Sequence, residues 1–166
     1  MPRRLATALA ALAAALVTPA AALGGGIFAV GGGQTTPDNL GFGLSAHIGP
    51  DGTAFGELTA GLSLAPPFPK VAEFTSKVTC LNVIGNRAII GSELTQVNAP
   101  GGGGIPGFEP GMGLLTLAVD NGNPASAANP DEFNGIALLP FAPLVCPPPA
   151  GDITPLAHGN ILISSG

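Results

Sequence analysis

Apolar and polar residues alternate with a period of two along much of this chain. The clearest stretch lies between 71 and 84, where Ala72, Phe74, Ser76, Val78, Cys80 and Ile84 share one parity and Glu73, Thr75, Lys77 and Thr79 the other. Successive residues of a strand point to opposite faces of its sheet, so the pattern predicts a half-buried strand with Cys80 on the inner face. Asn82 interrupts the alternation and predicts a bulge. Gly85-Asn86 is a turn signal, and residues 87–97 return with Ala88, Ile90, Ser92 and Leu94 in phase, which makes a hairpin. A second hairpin is predicted upstream. There Phe42, Leu44, Ala46 and Ile48 alternate with Gly43, Ser45 and His47, Asp51-Gly52 turns the chain, and residues 53–64 come back with Leu58, Leu62 and Leu64 inward. Shorter strands are predicted at 26–30, 114–120, 133–139 and 160–164.

About eight short strands, with no helical stripe after the amino-terminal segment, predict an all-β domain. An antiparallel barrel of about eight strands is the economical architecture, because pairing the last strand with the first leaves no exposed edge. A β-sandwich is the alternative. The 26 Gly and 18 Pro supply turns, and they occur without a Gly-X-Y period in a chain that is 46% hydrophobic, which excludes both collagen and a wholly disordered polymer. Three segments read as irregular surface loops: 98–113 with Gly101-Gly102-Gly103-Gly104, 121–132, and the proline-rich 140–158.

The first residues follow a different logic. Arg3 and Arg4 precede a run from 5 to 17 that is apolar apart from Thr7, and Thr18-Pro19 then leads into Ala20-Ala21-Ala22. A charged, an apolar and a small-residue region in that order predict a secretory signal peptide over 1–22, cleaved after Ala22 by the general secretory route. The apolar run is shorter than the about 20 residues that cross a hydrocarbon core, so no membrane insertion is expected after cleavage. What remains, 23–166, is expected to be a single β domain of 144 residues, extracellular or periplasmic and monomeric. It carries Lys70, Lys77 and Arg87 against ten carboxylates, a net charge of −7. Three scattered cations make no basic face, which excludes nucleic acid and anionic membrane as partners. Cys80 and Cys146, in a chain bound for an oxidising compartment and without a C-x-x-C motif, are expected to form one disulfide.

Few residues suit catalysis. The chain has no Trp, no Tyr and only two His, His47 and His158, which the predicted strand order puts at opposite ends of the barrel. The glycine run lacks the Lys-Ser/Thr of a phosphate loop, no G-x-S-x-G turn is present, and two His with two Cys give no zinc spacing. Glycoside hydrolysis is disfavoured by the scarcity of aromatic platforms. No catalytic or cofactor-binding residue is assigned, and no enzymatic activity is expected. The densest set of oxygen donors is Asp120, Asn121, Asn123, Asn129, Asp131 and Glu132. Calcium takes six to eight oxygens, so this loop is the candidate metal site, although the spacing fits no EF-hand and Asp and Asn are also ordinary turn residues.

Lys77-Val78-Thr79-Cys80-Leu81-Asn82-Val83 with Gly85-Asn86-Arg87-Ala88, Val119-Asp120-Asn121-Gly122 with Asp131 to Phe133, and the closing Gly159-Asn160-Ile161 together resemble small secreted bacterial all-β domains that carry no assigned activity. The likeness covers most of the segment 23–166 and implies export, β structure and the cysteine pair. Two functions are consistent with these readings. The first is a secreted structural or interaction domain whose loops contact a protein or cell-envelope component. The second is a barrel that binds a small apolar ligand, for which the small inner-face residues Ala46, Ala54, Gly56, Ala60, Ala72 and Ala88 would leave room.

Overall fold

The computed structural model describes residues 26–35, 40–63, 70–99, 107–122 and 129–166. The expected signal peptide, Leu64, the four-glycine run and Asn123 lie outside them. Eight strands follow one another: β1 (Ile27–Thr35), β2 (Leu40–Ile48), β3 (Ala54–Ser63), β4 (Lys70–Ile84), β5 (Arg87–Asn98), β6 (Gly113–Val119), β7 (Glu132–Leu139) and β8 (Thr154–Ser165). Each pairs antiparallel with the next, and β8 pairs with β1, so the sheet closes into a barrel rather than splitting into a sandwich. The turns at 49–53 and 85–86 mark what we term the lower end. In the first turn Asp51 accepts the Thr53 N–H through its carboxylate, which holds its pKa below the usual carboxylate range.

β1 and β8 run longer than the alternation predicts. β1 continues through Gly31-Gly32-Gly33, and this glycine row is what lets β8 approach: a Cβ on Gly33 would collide with the His158 carbonyl oxygen, and one on Gly159 with that of Gly32. The barrel interior holds Ala29, Phe42, Leu44, Ala46, Leu58, Ala60, Val78, Ala88, Ile90, Leu114, Ala118, Phe133, Leu156 and Ile161, all buried. The expected inward parity of β2 and β5 is therefore met, with Ser92 and Leu94 also buried.

β4 departs from its expected pattern. Val78 faces Ser92 and Cys80 faces Gly91, so Thr79 is an extra residue, and the faces of the strand exchange at that point. Upstream, Phe74 and Val78 point into the barrel; downstream, Leu81 and Val83 do. Cys80, expected inside, lies instead on the outer face in a second cluster with Ile89, Leu117 and Cys146, and Ile84 is 57% exposed. The bulge precedes Asn82, where the sequence placed it, and the reason lies in a segment that crosses this face. Residues 140–153 leave β7, pass over the outside of β6, β5 and β4, and return to β8. Thr79 Oγ1 donates to the Pro143 carbonyl at 2.6 Å, and Asn82 Nδ2 to the carbonyls of Cys146 and Pro147 at 3.3 and 3.0 Å. Arg87 Nη2 and Asn134 Nδ2 hold the far end at Gly151 and Asp152. Asn82, which interrupts the alternation, and Thr79, the extra residue of the bulge, are thus anchors of this strap.

A disulfide between Cys80 and Cys146 fixes the middle of the strap, with Cα atoms 5.5 Å apart, as the sequence predicts. Gly91 provides its seat, since a Cβ there would strike the Cys80 sulfur and come within 2.6 Å of Pro143 Cγ. Cross-linking residues 66 apart removes about 4 kcal/mol of unfolded-state entropy in the chain-entropy model. Replacing both cysteines by serine is expected to lower the melting temperature by about 10 °C or more. Calorimetry of the double variant beside the oxidised parent checks this, and superimposable melts would show that the bridge contributes nothing.

Candidate functional site

Two places in the barrel bear on function: the carboxylate cluster that the sequence singles out, and a cavity at the upper end. The cluster sits where β8 meets the loop between β6 and β7. β8 pairs with β7 at only two positions, Glu132↔Pro155 and Phe133↔Thr154, and then continues past the start of β7. Beyond that point its N–H groups have no strand to face. Asp131 Oδ2 accepts the Ile161 N–H at 2.6 Å, and Asp120 Oδ2 accepts that of Ile163 at 3.0 Å. The remaining oxygens, Asp131 Oδ1 and Asp120 Oδ1, accept the N–H groups of Asn121 and Gly122. The two side chains therefore act as carbonyl surrogates that continue the ladder where β7 has not begun.

The other members of the cluster tie the loop together. Asn121 Nδ2 donates to the Pro130 carbonyl, Asn129 Nδ2 to that of Asn121, and Asn86 Nδ2 to that of Asp120. Glu132 opens β7 opposite Val119 and Pro155, on the face away from the buried Phe133. So the structure brings Asp120, Asn121, Asn129 and Asp131 together but aims every carboxylate oxygen of the two aspartates at an N–H donor. Among the described residues there is no group of three or more His, Cys, Asp or Glu arranged to hold a metal ion.

The histidines are far apart. His47 faces Phe28 on β1, whereas His158 faces Gln34, six residues along the same strand and so about 20 Å away. His47 lies between Phe28 and Phe55, with ring centroids 6.1 and 5.3 Å distant.

The cavity is apolar and measures about 390 Å³. Ala60 and Ala72 on one side, with Gly135 and Ala137 opposite, leave the space that larger residues would fill, and Leu40, Phe74 and Leu114 complete the wall. Its floor is Phe133, stacked on Phe42 across the lumen with centroids 3.7 Å apart and planes 5° from parallel. Phe108, from the loop held to β5 by backbone bonds between Leu94 and both Gly111 and Met112, leans over it 6.3 Å from the Phe74 ring. Below the floor, Ala29, Ala46, Ala88 and Ala118 are completely buried, so small residues there bring the strands together and leave no room. A wider, open depression of about 640 Å³ lies beside the cavity over Gly41, Gly43 and Gly61, with a mixed lining of Thr59, Glu73 and Asn98 beside Phe42 and Phe74. Sequence alternation marks Ala60 and Ala72 as small inner residues but cannot separate them from Ala46 and Ala88, because only the position of the aromatic floor distinguishes the two levels.

Compared with protein-family models, curated proteins and solved structures, the chain matches none. The functional argument therefore rests on this geometry.

Replacing Asp131 by Asn keeps one acceptor but sets an amide N–H₂ against a backbone N–H in a fully buried position. A loss of about 2–4 kcal/mol of unfolding free energy is expected in urea titrations, against less than about 0.5 kcal/mol for Glu132→Gln. If the aspartate served chiefly as a calcium ligand, the penalty would appear only in the presence of that ion.

Proposed function

We propose that this protein is an exported, non-catalytic binding domain that accepts an apolar group in the upper cavity of its barrel. The cavity itself carries the reading. Its volume falls within the range of small-ligand pockets, its walls are apolar, and it lies at a barrel mouth, where such sites recur. Beneath it the two sides of the lumen are joined through the stacked Phe42 and Phe133 rings. A disulfide-bonded cysteine pair is compatible with an oxidising extracellular or periplasmic location, which supports export. Protein recovered outside the cytoplasm is expected to begin at Leu23, which amino-terminal sequencing reads directly; an intact Met1 would contradict the export reading.

Filling the cavity tests the binding role. The uncharged dye N-phenyl-1-naphthylamine is expected to bind the parent saturably, with enhanced fluorescence. Ala72→Leu places added carbon atoms in the empty space and is expected to weaken that binding about tenfold or more with a modest change in melting temperature. Equal dye affinity in parent and variant would refute the cavity as a site.

A second reading, contact with a protein or cell-envelope component through surface loops, is favoured by the strap. Phe141, Leu144 and Val145 stand 78, 82 and 83% exposed on a segment held by the disulfide. Dye binding unaffected by Leu144→Ser and Val145→Ser, together with lost adhesion of the protein to isolated envelopes, would assign the role to that surface.

A further inference from the structure

We propose that the upper part of β7 is a docking edge for an extended peptide, which adds a strand to the barrel and places one apolar side chain in the cavity. This rests on the reading of the cavity as a binding site and adds recognition of a backbone. β7 pairs with β6 from Glu132 to Leu139 around a bulge at Ile136, but β8 meets it only at Glu132 and Phe133. From Asn134 to Leu139 no strand among the described residues pairs with its other side, whereas every other pair of neighbouring strands shares seven or more residue pairs. Natural sheets protect free edges chiefly with charged residues or proline, and also with bulges such as the one at Ile136, which here still leaves Gly135, Ala137 and Leu138 lining the cavity. The sequence from Asn134 to Leu139 contains neither a charged residue nor proline, and Gly135 within it is exposed.

The same stretch forms one wall of the cavity through Asn134, Gly135, Ala137 and Leu138. A strand laid beside β7 at about 4.8 Å would therefore run along the cavity mouth, and every second side chain of that strand would point toward the barrel interior. The chemistry of the edge selects the occupant. A hydrocarbon or lipid chain would fill the cavity but make no hydrogen bond to the outward N–H and C=O groups of β7, while a peptide in extended conformation engages both. A net charge of −7 on the segment 23–166 disfavours strongly acidic peptides.

The probe is the blocked heptapeptide Thr-Val-Thr-Leu-Thr-Val-Thr, with two isomers N-methylated on three alternate amides each, one on the Thr residues after the first and the other on the two Val and the Leu. In a strand these sets face opposite edges. The expected result is that one isomer loses about tenfold or more in affinity while the other binds like the parent peptide, and that peptide binding slows hydrogen exchange at amides between 134 and 139. Equal binding of both isomers, or unchanged exchange, would overturn the docking edge. Retained binding of N-phenyl-1-naphthylamine in that case leaves the cavity reading standing; loss of dye binding as well removes both. Peptide affinity unaffected by Ala72→Leu would overturn side-chain insertion. Exchange protection that rises with protein concentration in the absence of peptide would identify a second copy as the occupant and overturn the assignment to a peptide.

Discussion

A barrel is stable only if the backbone groups along its closing strands find partners, and the stagger of β8 against β7 governs how this one does so. β8 matches β1 at nine positions and β7 at two. On one side of those two pairs β8 extends alone, and Asp120 and Asp131 supply the missing acceptors. On the other side β7 continues past β8, paired with β6 and, among the described residues, with no strand opposite its other edge. A structural carboxylate pair and an open edge are thus the two consequences of one offset. The buried charge of Asp131 is tolerable because both of its oxygens receive backbone N–H groups.

The offset also sets where the interior is solid and where it is hollow. The stacked Phe42 and Phe133 rings join β2 to β7 across the lumen, close to the site where β7 loses its partner. Beneath them alanines at four positions draw the strands into close packing. Above them the equally small Ala60, Ala72 and Ala137 line the cavity, with no ring stacked between them as Phe42 and Phe133 are below. Residue size alone is neutral between these outcomes; the level of the residue relative to the aromatic pair decides.

Much of the architecture was legible in the residues. The alternation in β2 and β5, the turn chemistry of Asp51-Gly52 and Gly85-Asn86, and the pairing of two cysteines follow from local rules. What escaped local rules depended on partners distant in the chain. The exchange of faces at Thr79 is set by the Pro143 carbonyl and by the strap that Cys146 anchors, so no window around Thr79 contains the cause. The extension of β1 through three glycines reflects the close approach of β8. The cluster around Asp120 and Asp131 was recognisable as oxygen-rich, but ladder acceptor and metal ligand demand the same residue type, and only the position of the Ile161 and Ile163 N–H groups tells them apart.

The strap adds a second restraint to β7, whose upper part is paired along one side. A connection running from 140 to 153 would wander widely over the outer surface if it were anchored only at its ends. Pinned at Cys146, it becomes two leashes of six and seven residues, each spanning at most about 25 Å when taut. The upper part of β7 is therefore held along one side by its pairing with β6 and at its end by a connection that is covalently tethered on the outer surface.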